Sequence, residues 1–274
     1  MIYHYCDTAA FMNIMRTESI RCSSSLFMND KLDCKVLDDD IRKWIDGNDD
    51  LSANFKKRLR EMFFSTRYEF IPFVGCFSHG RDLLSQWREY ADGGRGVCIG
   101  FDENEVQRHI ADLNSYHKSE GLDTELLAKK VNYSDRRLTR SIQSRLDKLQ
   151  SLGATMNERH KKIIREIKTE TAFFKPKEFK EEDEFRLVLM TKKQAIASGD
   201  RGEVSVDFRH AADGSIVPFY EVKFPKPKEI ITGPKNPSDR EHMYLFVNNF
   251  HSDRELSWRK IGASCFCTSS LTLK

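Results

Sequence analysis

No stretch of this sequence approaches the roughly 20 consecutive apolar residues that a membrane-spanning helix takes, so a helical span is excluded and no membrane partner is expected. The seven cysteines contain no CxxC pair, and an odd count does not suit a disulfide framework. Most read as small buried hydrophobes. The eight histidines form no HxH or HxxxH pair, and only Cys265 and Cys267 stand close together, so no metal site is expected. A GxSxG elbow is missing, which argues against a serine hydrolase. The glycines of "DGGRG" fit neither GxxxxGK nor GxGxxG, so no phosphate loop is read there. The start, "MIYHYCDTAA", lacks a basic segment followed by an apolar one, so a secretory leader is not expected. Reduced thiols and a cytoplasmic location are the corresponding expectation.

What the sequence does contain is charge. With 32% charged and 39% hydrophobic residues, the chain fits a polar globular protein, and 274 residues suffice for a large core. The net charge of +3 conceals an uneven distribution. From Leu126 to Lys180 there are 15 Lys and Arg against 6 Asp and Glu, whereas the rest of the chain is acidic. Such a basic segment suits an anionic partner, nucleic acid first, with RNA favoured over DNA. Arg136, Arg137, Arg140 and Arg145 are the residues that would track phosphates. A solvated helical face explains the same charges without a partner.

Hydrophobic periodicity gives a coarse order of elements. "IYHY" reads as a strand, and Asp7 as the cap of a helix running from Thr8 to about Arg16. "SIRCSS" is extended. A helix entered through Asn29-Asp30 and another over Asn54 to Thr66 follow. "FIPFVGCFS" is a strand ending at Ser78, "DLLSQWREYA" a helix with Asp82 as its candidate cap, and "VCIGF" a strand after a glycine turn. From Glu103 to about Ala172 the pattern is largely helical apart from "VNYS", and then short strands return: "EFRLVLM", "EVSVDF", "SIVPFYEV" and "EIITG". A helix over Asp239 to Phe250 and a strand "GASCFC" close the chain. One α+β domain over residues 1–274, with a basic helical insertion at 103–175, is the expected organisation.

Three stretches carry candidate chemistry. His4 sits between two tyrosines at a strand–helix junction, a place that often borders a ligand cleft. Around the glycine turn, Gln86, Trp87, Arg88, Tyr90 and Arg95 crowd large polar-tipped side chains into ten positions. The third stretch is "FKEEDEFRLVLM". Phe185, Leu187 and Leu189 share one face of its strand, and Glu184, Arg186 and Val188 the other. Glu182 and Glu184 therefore stand at the mouth of a buried strand, either on a solvated edge or in a working cleft. A carboxylate there can stabilise the positive charge that develops when a leaving group departs from a sugar carbon.

Taken together, the chain resembles a bacterial family catalogued only as a domain of unknown function. The resemblance rests on His4 in a "YHYT"-like start, on Met28-Asn29-Asp30, on the run from Cys76 to Phe101, on Phe179 to Arg186 and on Glu229 to Pro234. Cys6 replaces a threonine usual there.

The order of a histidine-bearing first strand, a strand ending in serine and a late strand bearing glutamate is also similar to the ADP-ribosyltransferase superfamily. That resemblance implies a split β-sheet with flanking helices around a cleft for NAD, used as a substrate and without a metal. It implies that His4 contacts the adenosine ribose and that Ser78 is the serine ending the second motif strand. Glu184 would stabilise the oxocarbenium ion, and Glu182 would orient or activate the acceptor. Either Tyr90 or Trp87 would stack on nicotinamide, with Arg88 beside them as a further cofactor-binding candidate. A histidine start and a Glu-x-Glu finish come from different subclasses of that superfamily. The expected role is a toxin or phage-defence effector, with an antitoxin protein as a possible partner. Replacing Glu184 by Gln is expected to abolish activity and leave the fold intact.

Two other classes fit the same residues. A non-catalytic nucleic-acid- or protein-binding module needs the basic helices but not Glu184. A metal-dependent nuclease would use Asp38 to Asp40 with Glu182.

Overall fold

A computed structural model describes residues 1–27, 34–65, 70–122, 124–134, 138–192, 206–210, 214–252, 258 and 261–271. Its centre is β3 (Phe70–Ser78), which runs antiparallel to β8 (Glu184–Lys192) along its whole length, from Phe70–Lys192 to Ser78–Glu184. β8 is covered on its other side by β5 (Glu125–Lys130), so it is an inner strand. This explains its near-continuous burial. Phe185, Leu187 and Leu189 enter the main core, while Val188 and Met190 pack on Ala172 and Phe173 on the opposite face.

The other edge of β3 is shared. β2 (Ser19–Ser24) meets it at Val74 and Phe73, whereas β1 (Ile2–Cys6) meets it at Ser78 through Tyr3. From these two points the sheet continues in two wings. One runs from β1 through β4 (Val97–Phe101) and β11 (Glu229–Thr232) to β12 (Phe266–Thr268). The other runs from β2 through β10 (Ile216–Lys223) to β9 (Val206–His210). The sheet is mixed, since β11 and β12 are parallel and the remaining pairs are antiparallel.

Several helices start at side-chain caps and bury one apolar stripe. Asp7 Oδ1 accepts from the Ala10 amide at 2.7 Å and starts α1 (Thr8–Thr17), whose Phe11, Ile14 and Met15 face the main core. α2 (Asp38–Gly47), α3 (Ala53–Phe64), α6 (Arg140–Ser151) and α7 (Glu158–Thr171) build a second core from Ile41, Phe55, Leu146, Ile164 and their neighbours. α5 (Glu103–Ser119) instead joins the main core through Val106 and Ile110, and α8 (Arg240–Ser252) through Met243 and Val247. Among the described residues no helix is long and apolar enough to cross a membrane.

Two expectations change. Residues 103–175 hold more strand than expected: besides β6 (Asn132–Ser134), which is the anticipated exception "VNYS", they contain β5 and begin β7 (Phe174–Pro176). "ELLAKK" consists of good helix formers, but the open edge of β8 offers six antiparallel pairs, and tertiary pairing overrides propensity. The helix expected from Asn29-Asp30 starts at Asp38; residues 28–33, which include Met28, Asn29 and Asp30, lie outside the described residues.

Candidate active-site cleft

β1 touches β3 only at the Tyr3–Ser78 pair and then diverges. His4 bridges the gap, its Nδ1 donating to the Cys76 carbonyl at 2.9 Å and its ring 5.5 Å from that of Phe77. Burial lowers the His4 pKa, so the imidazole is neutral near pH 7 and its Nε2 is an acceptor. Across β3, the Ser78–Glu184 pair places the head of β8 at the same end of the sheet. A cleft of about 70 Å³ results, and His4, Cys76, Gln86, Tyr90, Glu182 and Glu184 contribute to its lining. These residues come from β1, β3, α4 (Leu84–Tyr90), the turn before β8 and the first position of β8 itself.

The carboxylates at its floor are tightly held. Arg186, fully buried, donates from Nε to Glu184 Oε1 at 2.7 Å and from Nη2 to Oε2 at 2.9 Å. Its Nη1 donates to the Ala172 carbonyl at 2.8 Å. Lys175, 3% exposed, donates to Glu182 Oε2 at 2.6 Å and to Glu184 Oε2 at 3.3 Å. The Glu184 amide donates to the Tyr133 hydroxyl at 2.7 Å. Burial alone would raise the Glu184 pKa, but Arg186 and Lys175 outweigh it and hold the carboxyl below its ordinary value. The Tyr133 hydroxyl is pushed up to about 12, chiefly by burial. Glu184 is thus a fixed anion at the mouth of the strand, neither a solvated edge nor a group that trades protons near neutrality.

Ser78 stands behind the cleft. Its Oγ donates to the Glu182 carbonyl at 2.6 Å and accepts from the Gly80 amide at 3.0 Å, so it fixes the turn that carries Glu182. Of the two aromatic candidates, Tyr90 lines the cleft and is 40% exposed, and burial raises its hydroxyl's pKa. Trp87 belongs to the core. It is fully buried, packs edge-on to Tyr5 at 5.0 Å and donates its Nε1–H to Asp82 at 2.7 Å, leaving no face for a ligand. Asp82, expected as a helix cap, instead joins Trp87 to Ser269 and Ser270 near the end of the chain; Leu83 caps α4 without a side-chain bond. Arg88 is exposed on α4 and does not line the cleft. The glycine turn is local chemistry: Gly93 and Gly94 take positive φ of 61° and 95°, and a Cβ on Gly96 would collide with the Cys6 carbonyl.

The basic candidates lie elsewhere. Arg140 is exposed at the start of α6. Arg145 is committed to Glu170 of α7, Nη1 to Oε2 at 2.5 Å, with Glu166 at 3.4 Å. Arg136 and Arg137 lie outside the described residues. Asp38 lines a separate cavity of about 150 Å³ beside Lys168, remote in the lining from Glu182, so the nuclease constellation is not assembled. Among the described residues no group of three or more His, Cys, Asp or Glu is placed to hold a metal ion.

Sequence reasoning missed Lys175 and Tyr133. Lys175 is one of three lysines within "FKPKEFK", and nothing in the local pattern marks it as the buried one.

Residues 86–187 match the model of a family described as "Protein of unknown function (DUF2971)". The match runs from Gln86 on α4 to Leu187 on β8, so it includes Tyr90, Glu182 and Glu184 and leaves His4 and Ser78 outside. No curated protein and no solved structure matches the chain.

Proposed function

We propose that this protein is an ADP-ribosyltransferase that moves ADP-ribose from NAD to a macromolecular acceptor. The observation that carries the reading is the convergence of His4, Tyr90, Glu182 and Glu184 on one cleft, although 180 positions separate the first from the last. The parting of β1 from β3 at that cleft is what an ADP-ribosyltransferase-like split sheet would provide.

The cleft accepts one ring, not a dinucleotide, so the nicotinamide end enters and the adenylate lies outside. Tyr90 stacks on the nicotinamide. His4 Nε2 accepts from a ribose hydroxyl of NAD. As the bond between C1′ and the nicotinamide nitrogen breaks, its electron pair leaves with neutral nicotinamide, and positive charge develops on the ribose. Glu184, already ionised and held by Arg186 and Lys175, faces that charge without reorganising. The acceptor's nucleophile then bonds to C1′ and gives its proton to Glu182, the less buried of the two carboxylates. The excess of Lys and Arg between Leu126 and Lys180 favours a nucleic-acid acceptor, RNA before DNA.

The test is incubation with NAD labelled on its adenylate half, in chelator, with RNA, DNA and cell lysate supplied separately. Label should reach one acceptor and should be lost in Glu182→Gln and in His4→Ala, each checked for folding. No labelled acceptor and no released nicotinamide would overturn the reading and leave a binding module in its place.

A further inference from the structure

Gln86 is only 7% exposed, lines the cleft, and its side-chain amide makes no hydrogen bond with any described residue. Neither of its amide atoms is among the fully buried, unpaired ones of the described residues, so the amide opens into the space of the cleft, where a bound molecule can pair it. Gln86 sits on α4, directly before the core residue Trp87, so its backbone is held rigidly while its side chain faces the cleft. Several other polar groups of the cleft are already engaged by the protein. His4 Nδ1 is committed to Cys76, Glu182 to Lys175, and Glu184 to Arg186 and Lys175. The Gln86 amide therefore offers an unused donor and an unused acceptor side by side in one plane. The complement of that edge is another planar carboxamide, which returns a donor to its acceptor and an acceptor to its donor.

We propose that Gln86 is the specificity-determining residue of the cleft and that it reads the carboxamide of a nicotinamide ring. The inference rests on the assignment of NAD to this cleft. With the ring against Tyr90 and its carboxamide on Gln86, the glycosidic bond points toward Glu184. A nicotinic acid ring carries a carboxylate at the same position. It can accept from Gln86 but cannot donate to it, and it brings a further negative charge beside Glu182 and Glu184.

The experiment compares NAD with nicotinic acid adenine dinucleotide as substrates for the wild-type protein, Gln86→Leu and Gln86→Met, with nicotinamide release or its nicotinic acid equivalent as the readout. The wild-type protein should prefer the carboxamide in kcat/KM by roughly tenfold to a hundredfold, the worth of about two hydrogen bonds. In the variants that preference should shrink to a few-fold, with KM for NAD raised and kcat changed much less, as loss of a ground-state contact requires. Ligand-observed NMR with free nicotinamide and free nicotinic acid should show the same preference and the same loss. An unchanged ratio in variants that fold and turn over NAD would remove Gln86 from the assignment and leave the ADP-ribosyl transfer standing. Failure of the wild-type protein to bind nicotinamide or to consume NAD would overturn both.

Discussion

Arg186 closes on Glu184 through two hydrogen bonds from positions two apart on one face of β8, and neither side chain is more than 5% exposed. Together with Lys175 and Glu182 they form a four-charge cluster of zero net charge. Removing one member of a buried ion pair typically costs about 3–5 kcal/mol, because the other charge stays buried and unpaired. Glu184→Gln should therefore destabilise the protein by several kcal/mol in denaturant titrations, and it is not the clean catalytic variant that the sequence suggested. Its effect on transfer should sit near the low end for a lost electrostatic group, roughly a hundredfold in kcat, because Arg186 and Lys175 offset part of the field that Glu184 projects. A loss of stability below about 1 kcal/mol would mean that the cluster is hydrated in solution.

The same cluster makes stability depend on acid. Burial opposes ionisation of Glu184, but Arg186 and Lys175 lower its folded pKa below that of the unfolded chain. The folded state then binds fewer protons than the unfolded one, and stability rises with pH through this window. The contribution is complete above the unfolded carboxylate pKa of about 4.3 and is lost as pH falls through the folded value. Between pH 5 and pH 3 the wild-type protein should lose more stability than Glu184→Gln, measured by urea unfolding at each pH. Parallel losses would assign the acid sensitivity to other carboxylates.

β8 was legible because its period of two is written in Phe185, Leu187 and Leu189, and that alternation already placed Glu184 and Arg186 together. The Asp7 cap and the end of β3 at Ser78 were legible for similar local reasons. Three other features were not. β5 is written in helix formers and becomes a strand only because β8 needs a neighbour. Lys175 looks like any lysine of a basic segment until β7 pairs with β6 and turns it under the cleft. Asp82 has the sequence context of a cap, but the residues that claim its carboxylate, Ser269 and Ser270, come from the far end of the chain. Local pattern identifies strands and caps; it does not identify which charged side chain a distant segment will bury.

Arg140 and Arg145 were grouped by sequence as phosphate contacts, and the fold separates them. Arg145 bridges α6 to Glu166 and Glu170 of α7, whereas Arg140 is exposed. If nucleic acid is the acceptor, Arg140→Ala should reduce the salt slope of binding by about 0.7 for a single strand, the equivalent of one phosphate contact. Arg145→Ala should leave that slope alone and instead lower stability by about 0.5–1 kcal/mol, since its pair is partly exposed. Fluorescence anisotropy over a salt series decides between them. Equal slopes for both variants would mean that Arg145 exchanges its helix partners for phosphate on binding.

Asp38, the first residue of α2, offers a test in the opposite direction. It lines the cavity of about 150 Å³ beside Lys168, and no described residue hydrogen-bonds its carboxylate. Burial raises its pKa to about 6, although Arg42, Lys35 and Lys168 each pull it down. Here the folded state binds the extra proton, so stability falls as pH rises from about 4 through 6. A shift of this size corresponds to about 3 kcal/mol at full burial and to roughly half that for a group still partly open to water. An anion at a helix start returns about 0.3–1 kcal/mol, but Asp39 and Asp40 remain to supply it. Desolvation should win: Asp38→Asn should stabilise the protein by about 1 kcal/mol at pH 7.5, and the gain should shrink below pH 6 and vanish only near pH 4, where the unfolded chain is protonated as well. A variant less stable than wild type at pH 7.5 would show that the ionised carboxylate has a partner in solution.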